Sequence, residues 1–430
     1  SQCGTIAVAV AGQRFSPGAT MEFSRRDFIR TSLAGAVAVG LYAPLQNEDG
    51  YKLWLRYAPP GDVAEEYRRI VRQVLVEGSS RTAAVIRTEM TTALQSMLST
   101  SVQAVQAGVA DGTVVIGTIA NSAVIRGLRW DADLAKTGPE GFIIRPARVE
   151  NRNVLAIASQ GETGALYGAF HFLRLMQTAW PIDRLNVTER PRVQLRLTNH
   201  WDNLNGSIER GYAGNSLWQW DELPGKVSSR YTDYARAMAS IGLNGAAINN
   251  VNADVRILST EYLAKVTALA EVWRPWGVRM YLSANFAAPV RLGALKTADP
   301  LDRGVADWWK AKADEIYKSI PDFGGFLVKA NSEGQPGPKD YGRNHAEGAT
   351  VLADALAPHV REIARDQRAD GRLRPPRLQG AQQDLRDGKS GGLPAFAFHK
   401  KRSHDAGCAD QARRLRADAL HRPTRLGFAG

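Results

Sequence analysis

The chain has 430 residues, 44% hydrophobic and 23% charged, enough apolar material for two or three packed domains. Its formal charge of +12 sits mainly in residues 371–430, which hold 13 Lys+Arg against 5 Asp+Glu; the near-neutral body argues against a nucleic-acid or membrane-surface partner. The two cysteines, Cys3 and Cys408, lie near opposite ends, so a disulfide scaffold, a cysteine-ligated zinc site and a thiol nucleophile are excluded from the body between them.

Residues 1–20 precede Met21 and read as an upstream extension. Ser24-Arg25-Arg26-Asp27-Phe28 and the weakly apolar run after it resemble a twin-arginine export signal over 21–47. An exported protein, periplasmic or extracellular, is therefore expected. The amphipathic start of a first helix is the alternative. The run is far shorter than the ~20 residues of a membrane span, so no stable membrane association is expected.

Residues 48–180 alternate short apolar runs with helical patterns. The runs 51–57, 113–119, 141–149 and 153–159 read as strands, and 63–76 and 83–98 as helices. Gly161-Glu162-Thr163-Gly164 opens the apolar stripe Leu166, Phe170, Phe172, Leu173, Leu175, which fits a closing helix. A small α/β sandwich domain follows from this order. No Gly-x-Gly-x-x-Gly turn is present, so a nucleotide cofactor has no support.

After a linker over 181–190, residues 191–370 repeat a strand–loop–helix rhythm four times. Strands are expected at 193–197, 244–248, 278–283 and 324–329, and helices at 231–241, 260–273, 306–319 and 344–365. Four such units suggest half of a (β/α)8 TIM barrel. A doubly wound sheet is the alternative, and it would usually show a Gly-rich phosphate turn. Residues 371–430 contain no Ile, Val, Glu, Tyr, Trp or Met and no lasting period. They read as an unstructured basic tail or, preferably, as text produced by a reading-frame slip.

The four strand ends carry Asn199-His200-Trp201-Asp202, Asn249-Asn250-Val251-Asn252, Ser283-Ala284-Asn285 and Lys329-Ala330-Asn331-Ser332-Glu333. Amides and carboxylates bind hydroxyls, and an indole face covers the apolar side of a pyranose, so this rim suits a sugar. On an extended chain Lys329, Asn331 and Glu333 share one face. Taken alone, Glu333 reads as a surface loop carboxylate and Lys329 as a rim lysine. Trp201 and Val251 read as core, and Arg343 and His345 as a helix start.

The strings NHWDNLNGSIERGYAG, INNVNA, FGGFLVKANSEGQPGP and YGRNHAEGA closely resemble the α-glucuronidases of glycoside hydrolase family 67, over about residues 48–370. The resemblance implies an inverting hydrolase that removes 4-O-methylglucuronic acid α-1,2-linked to the terminal xylose of xylooligosaccharides. It implies Glu333 as the general acid, Trp201 stacking on the uronic acid, Val251 near the methyl ether and Lys329 as a polar contact. Asn199, Asp202, Asn250, Asn331 and Arg343 are further candidate contacts; no metal or cofactor is implied, and a homodimer of the complete enzyme is left open.

Inversion needs a second carboxylate as base, with the two roughly 6.5–9.5 Å apart. The family takes it from later strands, and Asp384, Asp387, Asp405, Asp410 and Asp418 lie in no comparable context. This chain is therefore expected to be inactive by itself. The acid must hold its proton at rest, which Lys329 opposes; the substrate's own carboxylate is expected to offset that lysine. An exported non-catalytic sugar-binding protein and a hexosaminidase-like glycosidase are the other classes, although the latter usually carries an Asp-Glu pair where this chain has Ser332-Glu333.

Overall fold

The computed structural model describes residues 49–369 and 397–398. The expected extension, export signal and nearly all of the basic tail lie outside them. The chain divides into two compact units, Ser1–Trp54 and Leu55–Gly430, of which the first is described only over residues 49–54.

The second unit opens with a six-stranded sheet. Its strands are β1 (Gln73–Val76), β2 (Gln103–Val105), β3 (Thr113–Thr118), β4 (Phe142–Val149), β5 (Arg152–Ser159) and β6 (Val187–Glu189), in the order β2-β1-β3-β5-β4-β6. The β2, β1, β3 and β5 strands run parallel, and β4 is antiparallel to both of its neighbours. Helices α1 (Arg81–Leu98) and α2 (Glu162–Gln177) pack on the sheet. Gly168 of α2 permits close approach, since a Cβ there would stand 2.6 Å from Ile157 of β5. Alternate residues of β5, Val154, Ala156 and Ala158, face a second core with Ile125 and Leu134 from short helices. Both faces are covered, which explains the near-continuous apolar text of β3 and β5.

Three expectations fail here. Residues 51–57 form no strand: Leu53–Arg56 is a 3-10 turn, with left-handed residues at Leu53 and Tyr57. The helix expected over 63–76 stops at Ile70, and Gln73–Val76 becomes the buried strand β1. A short apolar run reads alike in a buried strand and in a helix, and pairing on both sides with β2 and β3 decides it. The expected linker contributes β6, which covers β4 only from Phe142 to Ile144. Pro146 therefore falls where β4 has become an edge, and an edge tolerates the missing N–H.

The second sheet contains β7 (Leu197–Asn199), β8 (Gly245–Ala247), β9 (Arg279–Ala284) and β10 (Gly325–Val328), all parallel and in sequential order. Helices α3 (Ser229–Ser240), α4 (Thr260–Trp273), α5 (Arg303–Ser319) and α6 (His345–Ala369) follow them in turn. Sequential order without reversal is how a βα-barrel wall is built, whereas a doubly wound sheet reverses. The first strand starts later than expected because the Arg196 N–H bonds the Asn244 side chain before ladder pairing begins. Residues 397–398, from the tail expected to lack structure, add a short parallel strand, β11, beside β10.

Small residues in this sheet make room for one ring. A Cβ at Gly245 or Gly324 would stand 2.5 or 2.2 Å from Tyr281 of β9. The two layers are joined by a buried ion pair: Arg236 of α3 forks onto Glu89 of α1 at 2.7 and 2.8 Å, and the Tyr57 hydroxyl donates to the same carboxylate.

Candidate active site

The C-terminal ends of β7 to β10 carry the polar residues, because a parallel strand releases its chain into a loop there. After β10 the chain leaves extended geometry at once. Asn331 and Glu333 have φ of 49° and 53°, both left-handed. The expected shared face of Lys329, Asn331 and Glu333 is thus not formed by alternation. Lys329 and Glu333 meet across the turn, Nζ to Oε2 2.6 Å, while the Asn331 carboxamide turns away to accept from the Lys339 N–H at 3.0 Å. Asn331 shapes this loop, and the Lys329–Glu333 ion pair stands at its rim.

Lys329 is almost fully buried and also donates to Oδ1 of Asn252 at 2.8 Å, whereas the Glu333 side chain keeps 26% exposure. A buried cation survives only with such partners. The half-exposed acid is open to a ligand. Trp201 packs against a buried cluster of Ala247, Val251, Tyr281 and Leu327, drawn from β8, β9, β10 and the loop after β8. Val251 is buried in that cluster, so the two expected sugar contacts belong to one packed group.

Asp202 is buried and organises the loop after β7. Its carboxylate accepts from Ser216 Oγ at 2.6 Å, Leu217 N–H at 3.2 Å and His200 Nδ1 at 3.2 Å. Burial pushes this carboxyl up, but the three donors outweigh it and hold it below the usual range. With Nδ1 donating, His200 Nε2 accepts from Tyr234 Oη at 2.6 Å. Burial pushes the Tyr234 hydroxyl up to about 12, so it stays protonated as a donor.

Asn250 is buried and ties loops together, donating to Asn203 Oδ1 at 3.0 Å and to the Glu209 carbonyl at 3.3 Å. A cavity of about 280 Å³ lies at these strand ends, lined by Asp202, Asn203, Asn250, Asn252, Asp254 and Arg256 among others. Asn199 stays exposed on the last position of β7. Arg343 forks onto Asp299 at 3.0 and 2.9 Å, which supports its reading as a structural residue at the start of α6. Glu209 and Arg210 escape a sequence reading, since nothing local marks one charge in a polar loop as inward-facing. Among the described residues, no group of three or more His, Cys, Asp or Glu is placed to hold a metal ion.

A parallel βα wall with a carboxylate, a lysine, amides and an indole at its C-terminal rim has the donors, acceptors and apolar face that suit a sugar. Residues 53–172 match the pattern described as Glycosyl hydrolase family 67 N-terminus, and residues 175–365 that described as Glycosyl hydrolase family 67 middle domain. The chain belongs to glycosyl hydrolase family 67. It is 37% identical over 333 residues to "Probable alpha-glucuronidase A" of Aspergillus clavatus, covering 76% of this chain and 38% of that protein. It is 38% identical over 347 residues to "Alpha-glucuronidase A" of Emericella nidulans, covering 78% and 39%. The chain thus spans under two fifths of these relatives. Among solved structures, a family GH115 4-O-methyl-alpha-glucuronidase aligns with TM-score 0.43 and 15% identity, over 67% of this chain and 39% of that one.

Proposed function

We propose that this protein is the N-terminal and first catalytic part of an α-glucuronidase that removes (4-O-methyl)glucuronic acid from the terminal xylose of xylooligosaccharides. The observation that carries the reading is Glu333 at the rim, 2.6 Å from buried Lys329 and on the same set of strand ends as Trp201 and Val251. Trp201 supports the sugar's apolar face, and Val251 sets the floor under it. Lys329 attracts the uronate, and Glu333 gives its proton to the leaving oxygen. The base belongs to barrel strands beyond β10, which would close the (β/α)8 wall. Export through the Arg25-Arg26 segment fits a substrate found outside the cell; export that survives replacement of both arginines by lysine would contradict it.

The test is release of glucuronic acid from aldobiouronic acid by the complete enzyme that carries the later barrel strands, compared with its Glu333→Gln variant; this chain by itself is expected to release none. Loss of a general acid is expected to cost about 10²–10⁴-fold in rate. Equal activity in the variant would remove Glu333 from the role. Sugar binding with no hydrolysis by either protein would favour a non-catalytic carbohydrate-binding protein.

A further inference from the structure

Two charged residues of the loop after β7 have no part in the chemistry above. Arg210 bridges carboxylates of two loops: Nε stands 3.6 Å from Oε1 of Glu209, and Nη2 stands 3.4 Å from Oε2 of Glu333. Both distances are long for a guanidinium–carboxylate pair. The Arg210 side chain is 63% exposed, so it can swing without repacking a core.

Its anchor is different in kind. Glu209 is 11% exposed, and its Oε2 is buried with no hydrogen-bond partner among the described residues. Its backbone is left-handed, with φ of 57°. The Glu209 N–H donates to the Trp201 carbonyl at 2.8 Å, and its own carbonyl accepts from Asn203 and Asn250 at 2.8 and 3.3 Å. A left-handed residue whose N–H and carbonyl are both bonded holds its carboxylate in place within the loop after β7. The exposed guanidinium of Arg210 is paired to that carboxylate at long range.

Around Glu333 these contacts set two cations, Lys329 and Arg210, against two carboxylates, Glu209 and Glu333. A neutral sugar leaves that balance as it is. An acidic sugar brings a third carboxylate, for which the loosely held guanidinium is the available donor. We propose that Arg210 is a specificity-determining residue, which leaves Glu333 for the carboxylate of an incoming uronic acid while Glu209 keeps it at the rim. The idea rests on the glucuronidase reading and deepens it. The acid Glu333 gives up one of its two cations only when the ligand supplies a charge of its own. Selection against neutral sugars is thereby coupled to release of the acid.

Titration calorimetry with glucuronic acid and with glucose, on the unaltered protein and on Arg210→Gln, Arg210→Lys and Glu209→Gln, tests this. Arg210→Gln is expected to weaken glucuronic acid about tenfold or more and to leave glucose unchanged. Arg210→Lys restores part of the loss, and Glu209→Gln gives a smaller loss of the same kind. Because Arg210 is exposed, its variants are expected to fold even where Glu209→Gln does not. An unchanged preference for the acid in Arg210→Gln, or equal weakening of both sugars, would overturn the inference alone. An unaltered protein that binds no glucuronic acid would overturn the glucuronidase reading as well.

Discussion

Lys329 and Glu333 lie four residues apart, and a left-handed turn brings the ammonium to 2.6 Å from Oε2 of the acid. An ammonium beside a carboxyl favours the charged form in general, yet the proton donor proposed for Glu333 must carry a proton. The substrate's uronate, drawn to the same lysine, is the group that can resolve the conflict. The carboxyl carbon NMR signal of Glu333 should therefore move toward its protonated position when glucuronic acid is added at constant pH. A signal that stays in place would show that Lys329 is not offset in this way.

The Asp202 network predicts a pH dependence of stability. A carboxyl whose folded value lies below its unfolded one stabilises the fold above the unfolded value, and the contribution is lost as pH falls through the folded one. Asp202→Asn is expected to cost about 1–3 kcal/mol at pH 7, the range for spoiling a buried hydrogen-bond set. Urea unfolding should show the gap between the two proteins narrowing below about pH 4. A gap that stays constant down to pH 3 would mean that the aspartate's charge contributes nothing.

Arg236 and Glu89 predict a stability effect between the two sheet layers. Their side chains are 20% and 7% exposed, so truncating the arginine strands a buried carboxylate. Arg236→Ala is expected to lose about 3–5 kcal/mol. Adding Glu89→Gln should recover part of it, because the remaining group is no longer charged. Chemical denaturation of the single and double variants measures both steps, and a double variant weaker than Arg236→Ala would refute the pairing.

Much of the second sheet was legible in the chain. Helix α4 falls on Thr260–Trp273 as its apolar spacing predicts, and β8, β9 and β10 lie within one residue of their expected starts. These are local signals. The N-terminal sheet was read less well at β1, because a four-residue apolar run is silent about its pairing until the partners are in place. The lysine and the acid were legible only as members of family-like strings. Their expected route into contact, alternation along an extended strand, is not the one the chain takes.

What the sequence determined by itself is the order of elements, the apolar faces that must be covered and the residue types delivered to each strand end. Tertiary structure decided which of them meet. Asn331 leaves the face it was expected to share, and Asn252 takes hold of Lys329 from 77 positions away. Arg210 reaches Glu333 across 123 positions. Such contacts depend on the closure of loops far apart in sequence and on left-handed residues at the strand ends. Neither leaves a period in the chain, because periodicity reports only neighbours within one turn or one strand.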